Sequence, residues 1–506
     1  MKLFAAPAAR THSSLAVTWE KPEAAGDVEE YVLFLNGREA ARVRETDYTF
    51  EGLEPDTEYQ VRLRARMKEG SRVFLPESNL LTLRTKREPE RFCVTDYGAV
   101  GDGKTLNTEA VQRAIDACTP GGMVVVPAGV FVTGALFLKS DMTLCVEEGG
   151  RLLGSADPAD YPLRTYRYEG RESLRHASLI NTPDTKGERS HDITILGKGT
   201  IDGNGAALLV HELEGGHKRG SVICLRSADN VYFKDITVRQ PAFWCVHVVY
   251  CAHVSLNQVQ IHCKYDENGE RYGHIFNGDG FDPDSSRDVF VFRCRIASQD
   301  DCIAVKSGRD EEGRAVGIAS EDIRITNCRF RSGFGVAMGS EMAGGIRNVL
   351  VQDCTFEDSF SIASVKTPRG RGSYVQNICY DSCRLVNRDH EIKPCKWFKG
   401  AIYVDYYYSE DEYDVNERRP VTEGTSVISD LCFRNLDLET EEGYAVYIAG
   451  LPESPARRIR LENVRARGAN GLYAVNADGL FLENVQVKAQ EGDDMRLKNV
   501  KDFRMS

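Results

Sequence analysis

The chain of 506 residues has no apolar run near the roughly 20 residues that span a bilayer, which argues against a helical membrane anchor. Its opening residues, MKLFAAPAARTHSS, lack the apolar core of a secretory signal, so the expectation is a cytoplasmic protein. Positive charge is in short supply: 64 Lys and Arg stand against 76 Asp and Glu, for a net −12. Such a field repels polyanions, so neither nucleic acid nor an anionic membrane is expected as a partner. An acidic substrate would need a local basic pocket. Close CxxC pairs are missing, which removes the usual sign of a zinc site. The 15 cysteines are odd in number and scattered through a large chain, an unpromising base for a disulfide framework. Persuasive helical patterns are scarce too, with one between Thr108 and Ala117, where Val111, Ala114 and Ile115 form an apolar stripe and Thr108 is the expected N-cap.

What is present is strand pattern. Residues 1–87 hold short alternating segments, SLAVTWE, EEYVLFLNG, TDYTFEGL and EYQVRLRARM, separated by turns such as Glu54-Pro55-Asp56. This reads as a small antiparallel β-sandwich with Trp19 and Tyr59 in its core. A linker follows at 88–91. From 92 to 506 the chain is built on a repeat. Copies begin at Asn230, His253, Asp288, Asp322, Asn348, Asn377, Asp430, Arg458 and Gly479, with apolar residues at offsets one, three, six and eight and a polar residue turning the corner between the pairs. Two short strands meeting at a bend, in copies mostly 21 to 35 residues apart, make one coil of a solenoid, and stacked coils make a parallel β-helix. The fold class is all-β. Cys294, Cys328, Cys354 and Cys383 share one repeat position with Ile236, Val259, Leu436, Val464 and Val485, so they read as small buried hydrophobes.

The repeat also groups carboxylates. Asp279 lies in HIFNGDGFDPDSS, and the pair Asp300-Asp301 follows in SQDDCIAVKSG. Asp279 and Asp301 each precede a short strand and take equivalent places on adjacent coils. Asp300 and Phe334 lie twelve residues after their coil starts, making them stacked neighbours. Crowded carboxylates resist ionising together, so at least one keeps a proton, as a general acid must. Lys306 and Lys366, eighteen residues after their coil starts, are placed to face the same groove. Trp244, beside Phe243, offers a ring for a sugar face. Trp397 and the run Tyr406-Tyr407-Tyr408 read as packing for a long loop.

The first 87 residues resemble a fibronectin type III domain through Trp19, Tyr31 and the LEPDTEY segment. The remainder resembles glycoside hydrolase family 28, the exo-polygalacturonase-like pectin-degrading enzymes, through YGAVGDG, NGDGFDPDSS, SQDDCIAVKSG, GSEM and TPRGRG. That resemblance implies a right-handed β-helix acting by single displacement with inversion. Asp300 is then the general acid and Asp279 and Asp301 the bases, their carboxyl groups roughly 6.5 to 9.5 Å apart to admit water. It implies no metal and no cofactor. Substrate-binding candidates are Asn277, Lys306, Lys366, Trp244, Phe334, Glu341, Arg369 and His274, with Arg309 and Arg371 adding basic character. Two departures stand out: Phe334 occupies the family's histidine position, with His274 and His247 as stand-ins, and Ser364 occupies its arginine position, removing a carboxylate clamp.

The resulting expectation is an inverting exo-acting glycosidase releasing a terminal sugar, galacturonate by default, from pectin-derived oligosaccharides or plant glycosides. The alternatives are a family 28 enzyme for a neutral or different terminal sugar, such as a rhamnogalacturonan fragment or an apiose or other pentose glycoside, and a non-catalytic carbohydrate-binding β-helix. A pectate lyase would need a calcium site and an arginine base. The sequence leaves the oligomeric state open.

Overall fold

The computed structural model describes residues 1–183, 187–265, 268–272, 275–388 and 394–506. Strands between Leu3 and Arg84 form a three-stranded sheet (Leu3–Arg10, Leu15–Trp19, Asp47–Phe50) and a four-stranded sheet ordered Arg38–Val43, Val28–Leu35, Glu58–Met67, Leu81–Arg84. Strict alternation in EYQVRLRARM turns Tyr59, Val61, Leu63 and Ala65 inward. Trp19, 1% exposed, meets Tyr31 edge-on with ring centroids 5.3 Å apart. The Tyr59 hydroxyl accepts the Glu54 N–H at 2.9 Å, tying the turn to the strand. Both rings therefore serve the core.

From Arg91 onward the strands stack in parallel as a right-handed β-helix, each pairing mainly with its equivalents one coil before and after. One inward ladder runs Val231, Val254, Val289, Ile323, Val349, Ile378, Leu431, Ile459 and Leu480. All nine coil starts read from the sequence have positive φ, from 50° at Arg458 to 85° at Gly479. The corner residues Asp235, Asn327, Asp353, Asn435, Asn463 and Asn484 do too. Left-handed backbone is costly for most side chains and least so for Asn, Asp and Gly, so the coil corners select those residues. Helix Thr108–Ala117 closes the solenoid with Ala110, Val111, Ala114 and Ile115 buried. Its cap position falls on Asn107 rather than Thr108, whose hydroxyl accepts the Gly134 N–H at 2.7 Å. Among the described residues no helix is long and apolar enough to cross a membrane.

The sandwich docks on one side of the solenoid. Ala6, Ala9 and Ala16 pack on Tyr232, Phe290 and Phe292, and buried Asp47 pairs with Arg293 and accepts from Asn327. A second outward ladder, on another face, runs His247, Asp282, Ala304, Ala337, Ser364, Tyr403. Two residues further along each strand lies its companion: Val249, Asp284, Lys306, Gly339, Lys366 and Asp405. This pair of ladders floors the site.

The cysteines are unpaired and, for the most part, buried; Cys294, Cys328, Cys354 and Cys383 line up inside the coils. Dithiothreitol should therefore leave the thermal midpoint unchanged, and all 15 thiols should react with a chromogenic reagent in denaturant without prior reduction. A midpoint that falls on reduction would contradict this.

Candidate active site

A cavity of 210 Å³ opens over the ladders and is lined by Asp279, Asp300 and Asp301 together with Lys306, Lys366, Glu341, Asn277 and Trp244. The three aspartates arrive there by stacking. The Gly280 N–H donates to the Asp301 carbonyl at 3.0 Å, putting Asp279 and Asp301 at equivalent places on adjacent coils. The Phe334 N–H donates to the Asp300 carbonyl at 3.1 Å, the neighbourhood expected from coil register. One oxygen from each of the three carboxylates lies within 4.8 Å of the others. A water can bridge two oxygens at such a separation, with hydrogen bonds of about 2.7 to 2.8 Å to each.

Two buried lysines hold these acids. Lys366 Nζ lies 2.6 Å from Asp301 Oδ2. Lys306 Nζ lies 3.1 Å from Glu341, 3.6 Å from Asp279 and 3.7 Å from Asp282, and 4.4 Å from the centre of the Trp244 ring. Their ammonium groups stand where three clustered carboxylates would otherwise suit a divalent cation. Burial pushes the Asp301 carboxyl up to about 6; Lys366 pulls against this and Asp300 adds to it. Burial, then Asp282 and Asp300, drive Asp279 well above the usual carboxylate range, which favours its protonated form. Burial also opposes ionisation of Glu341, but Lys306 and then Arg371 overcome it and keep that carboxyl below the usual range.

Asp282 was not legible as a site residue. It is fully buried beneath the cavity, and burial raises its carboxyl well above the ordinary range. The available signal was alternation: in GFDPD, Asp282 and Asp284 lie on one face of strand Phe281–Asp284. Asp284 pairs with buried Arg167 at 2.7 Å and contacts His247 Nε2 at 3.4 Å. His247 is fully buried and burial pushes its ring down to about 4, so it is a neutral packing residue that does not replace the lost family histidine.

The remaining candidates divide. Asn277 lines the cavity with its Oδ1 held by Arg219 at 3.1 Å, and Trp244 stacks on Phe243 at 4.5 Å. Phe334 does not line the cavity: its ring joins Phe360 and Phe398, at 5.4 and 6.3 Å, where an apolar face finds apolar partners. Arg369 turns away to Glu453 at 2.6 Å and the Glu417 carbonyl at 2.9 Å. His274 lies outside the described residues. Ser364 is fully buried between Ala337 and Tyr403. The Tyr403 hydroxyl donates to the Trp397 carbonyl at 2.9 Å. Trp397 and Tyr408 line the cavity, contrary to the expectation of loop packing, whereas Tyr406 and Tyr407 are buried.

The far wall comes from an antiparallel hairpin, Leu163–Tyr168 and Arg171–His176, an insertion between coils. Its turn places Glu169 in the cavity lining. The Arg309 N–H donates to the Gly170 carbonyl at 3.1 Å, and a Cβ at Gly170, whose φ is +79°, would meet Arg309 Cβ at 2.7 Å and Glu341 Cγ at 2.8 Å. Glycine is required at that contact. No sandwich residue contributes to the lining.

Comparison with known proteins agrees with this geometry. The family model described as glycosyl hydrolases family 28 matches residues 182–494, a fibronectin type III model matches 5–80, and a rhamnogalacturonase A/epimerase, pectate lyase-like model matches 92–147. An exo-poly-α-D-galacturonosidase of Dickeya chrysanthemi is 31% identical over 414 residues, covering 67% of each chain. A probable polygalacturonase of Vitis vinifera is 32% identical over 391 residues, covering 73% of each. The Yersinia enterocolitica family 28 exopolygalacturonase superposes with a TM-score of 0.82 at 24% identity, over 99% of this chain and 98% of that one.

The lysine cradle makes a titration testable. Carboxyl ¹³C NMR should give a midpoint for Asp301 near 6. Lys366→Met removes the cation that favours the charged form and should move that midpoint upward. A wild-type midpoint at the ordinary value of about 3.9 would contradict the burial argument.

Proposed function

Because the chain belongs to glycosyl hydrolases family 28 it is a glycosidase, and we propose that it removes a single terminal galacturonate from pectin-derived oligosaccharides by direct displacement with inversion. The observation that carries exo action is the shape of the site. A cavity of 210 Å³ lies below the usual range of about 300 to 1,000 Å³ for ligand pockets and has room for one sugar unit. Its lining includes hairpin residue Glu169 and, from the 397–409 segment, Trp397, Tyr408 and Ser409, which supports action on one terminal unit.

Asp300 is the least buried member of the triad and lines the cavity, which supports its assignment as the acid that delivers the proton to the leaving oxygen. Asp301, kept ionised above about 6 with Lys366 against it, takes the proton of a water held between it and Asp279. Trp244, 2% exposed, stacks on Phe243 and carries Lys306 4.4 Å over its ring, so it braces the cavity wall. The exo-poly-α-D-galacturonosidase relative supports the choice of sugar. Ser364 favours a second reading, a neutral terminal sugar, since the clamp expected at that position is gone.

Two measurements test this. Asp300→Asn should lower turnover of trigalacturonate about a hundredfold or more, and unchanged turnover would overturn the acid assignment. Hexagalacturonate should yield monomer plus pentamer from the first turnover, and proton NMR should show the first-formed sugar in the anomeric configuration opposite to the bond broken. Retention would remove the displacement mechanism.

A further inference from the structure

The two lysines of the cavity floor are occupied by the protein's own acids. Lys366 is bound to Asp301 at 2.6 Å, and Lys306 is shared among Glu341, Asp279 and Asp282 within 3.7 Å. Neither ammonium is left over for a substrate carboxylate. The family's clamp position holds Ser364, a short side chain at 0% exposure. If the released sugar is a uronate, its charge must be met elsewhere in the cavity.

A different cationic group stands opposite the triad. Arg371 lines the cavity, is 3% exposed, and has its backbone pinned by Arg314 Nη1, which donates to the Gly370 and Arg371 carbonyls at 2.8 and 3.0 Å. Its Nη1 lies 2.9 Å from Asp310 Oδ1, and its Nε–H has no acceptor among the described residues. The same Asp310 is shared with Arg171 at 2.6 Å and Arg309 at 3.5 Å, and Arg309 has only Glu169, at 3.5 Å, as a further carboxylate partner. Glu341 also attracts Arg371, so this corner is not in positive excess; what Arg371 has to spare is its buried Nε–H, and Arg309 lines the cavity with it.

We infer that Arg371, with Arg309 beside it, binds the carboxylate of the terminal uronate and takes over the specificity role that Ser364 has vacated. The inference rests on the glycosidase reading above and names the class of its substrate: a terminal hexuronate. Its physical basis is that a desolvated, pre-positioned guanidinium fork recognises a carboxylate more strongly than a neutral group of equal size. The Arg371 segment follows the strand that carries Ser364 by five residues, so the replacement cation enters from the loop above the lost one.

Binding can be read without turnover. In an Asp300→Asn background, calorimetry with galacturonic acid and with its primary amide isolates the charge of the ligand. The acid should bind about thirtyfold or more tighter than the amide, and Arg371→Gln should erase that difference, with Arg371→Lys restoring part of it. Equal weakening of acid and amide by Arg371→Gln would assign Arg371 a structural role through Asp310 and overturn the inference. So would a preference for the acid that survives the substitution, or no preference to begin with. A protein that binds the acid through Arg371 yet hydrolyses no galacturonide would sink the glycosidase reading and leave the subsite standing.

Discussion

Register between stacked coils is the constraint on which the rest depends. Parallel strands about 4.8 Å apart force equivalent positions into ladders, so a residue type at one repeat position recurs along a line on the surface or in the core. Left-handed Asn, Asp and Gly at the corners fix where each coil turns, and hence which residues fall on which ladder. The active site is a set of substitutions written on two such ladders. Where other coils carry Val249, Gly339 or Asp405, two carry Lys306 and Lys366, two coils apart. Asp279 precedes the strand one coil before Lys306, and Asp300 and Asp301 precede the strand that leads to Lys306 itself.

That placement creates an electrostatic problem and its solution together. Five carboxylates line the cavity, Glu169, Asp279, Asp300, Asp301 and Glu341, against four cations, Lys306, Arg309, Lys366 and Arg371. Burial and the neighbouring carboxylates favour the protonated form of Asp279, which lessens the negative charge of the lining. The lysines differentiate the acids. The nearest partner of Asp301 is Lys366, at 2.6 Å, whereas Asp279 shares Lys306 with Asp282 and Glu341 and faces three like charges, Asp282, Asp300 and Asp301. Similar carboxyl groups thereby acquire different protonation, which general acid/base chemistry requires.

Much of this was legible because the repeat is periodic. Coil starts, the cysteine ladder, helix Thr108–Ala117, the neighbourhood of Asp300 and Phe334 and the convergence of Lys306 with Lys366 all follow from counting. Features that sit off the repeat were not. The hairpin with Glu169 and the loop with Trp397 and Tyr408 are insertions, whose placement depends on contacts that no period encodes. Arg369 and Arg371 lie two residues apart in TPRGRG, and only the surrounding ion pairs, Glu453 for one and Asp310 for the other, decide which faces the sugar.

The central claim is that burial and like charges favour the proton at Asp279 while Lys366 favours the ionised form of Asp301. Neutron diffraction from deuterated crystals near pH 7 reads this directly. The account predicts deuterium on the Asp279 carboxyl, none on Asp301, and three deuterons on each of Lys306 Nζ and Lys366 Nζ. An ionised Asp279 beside a deuterated Asp301, or a neutral lysine at either position, would contradict it.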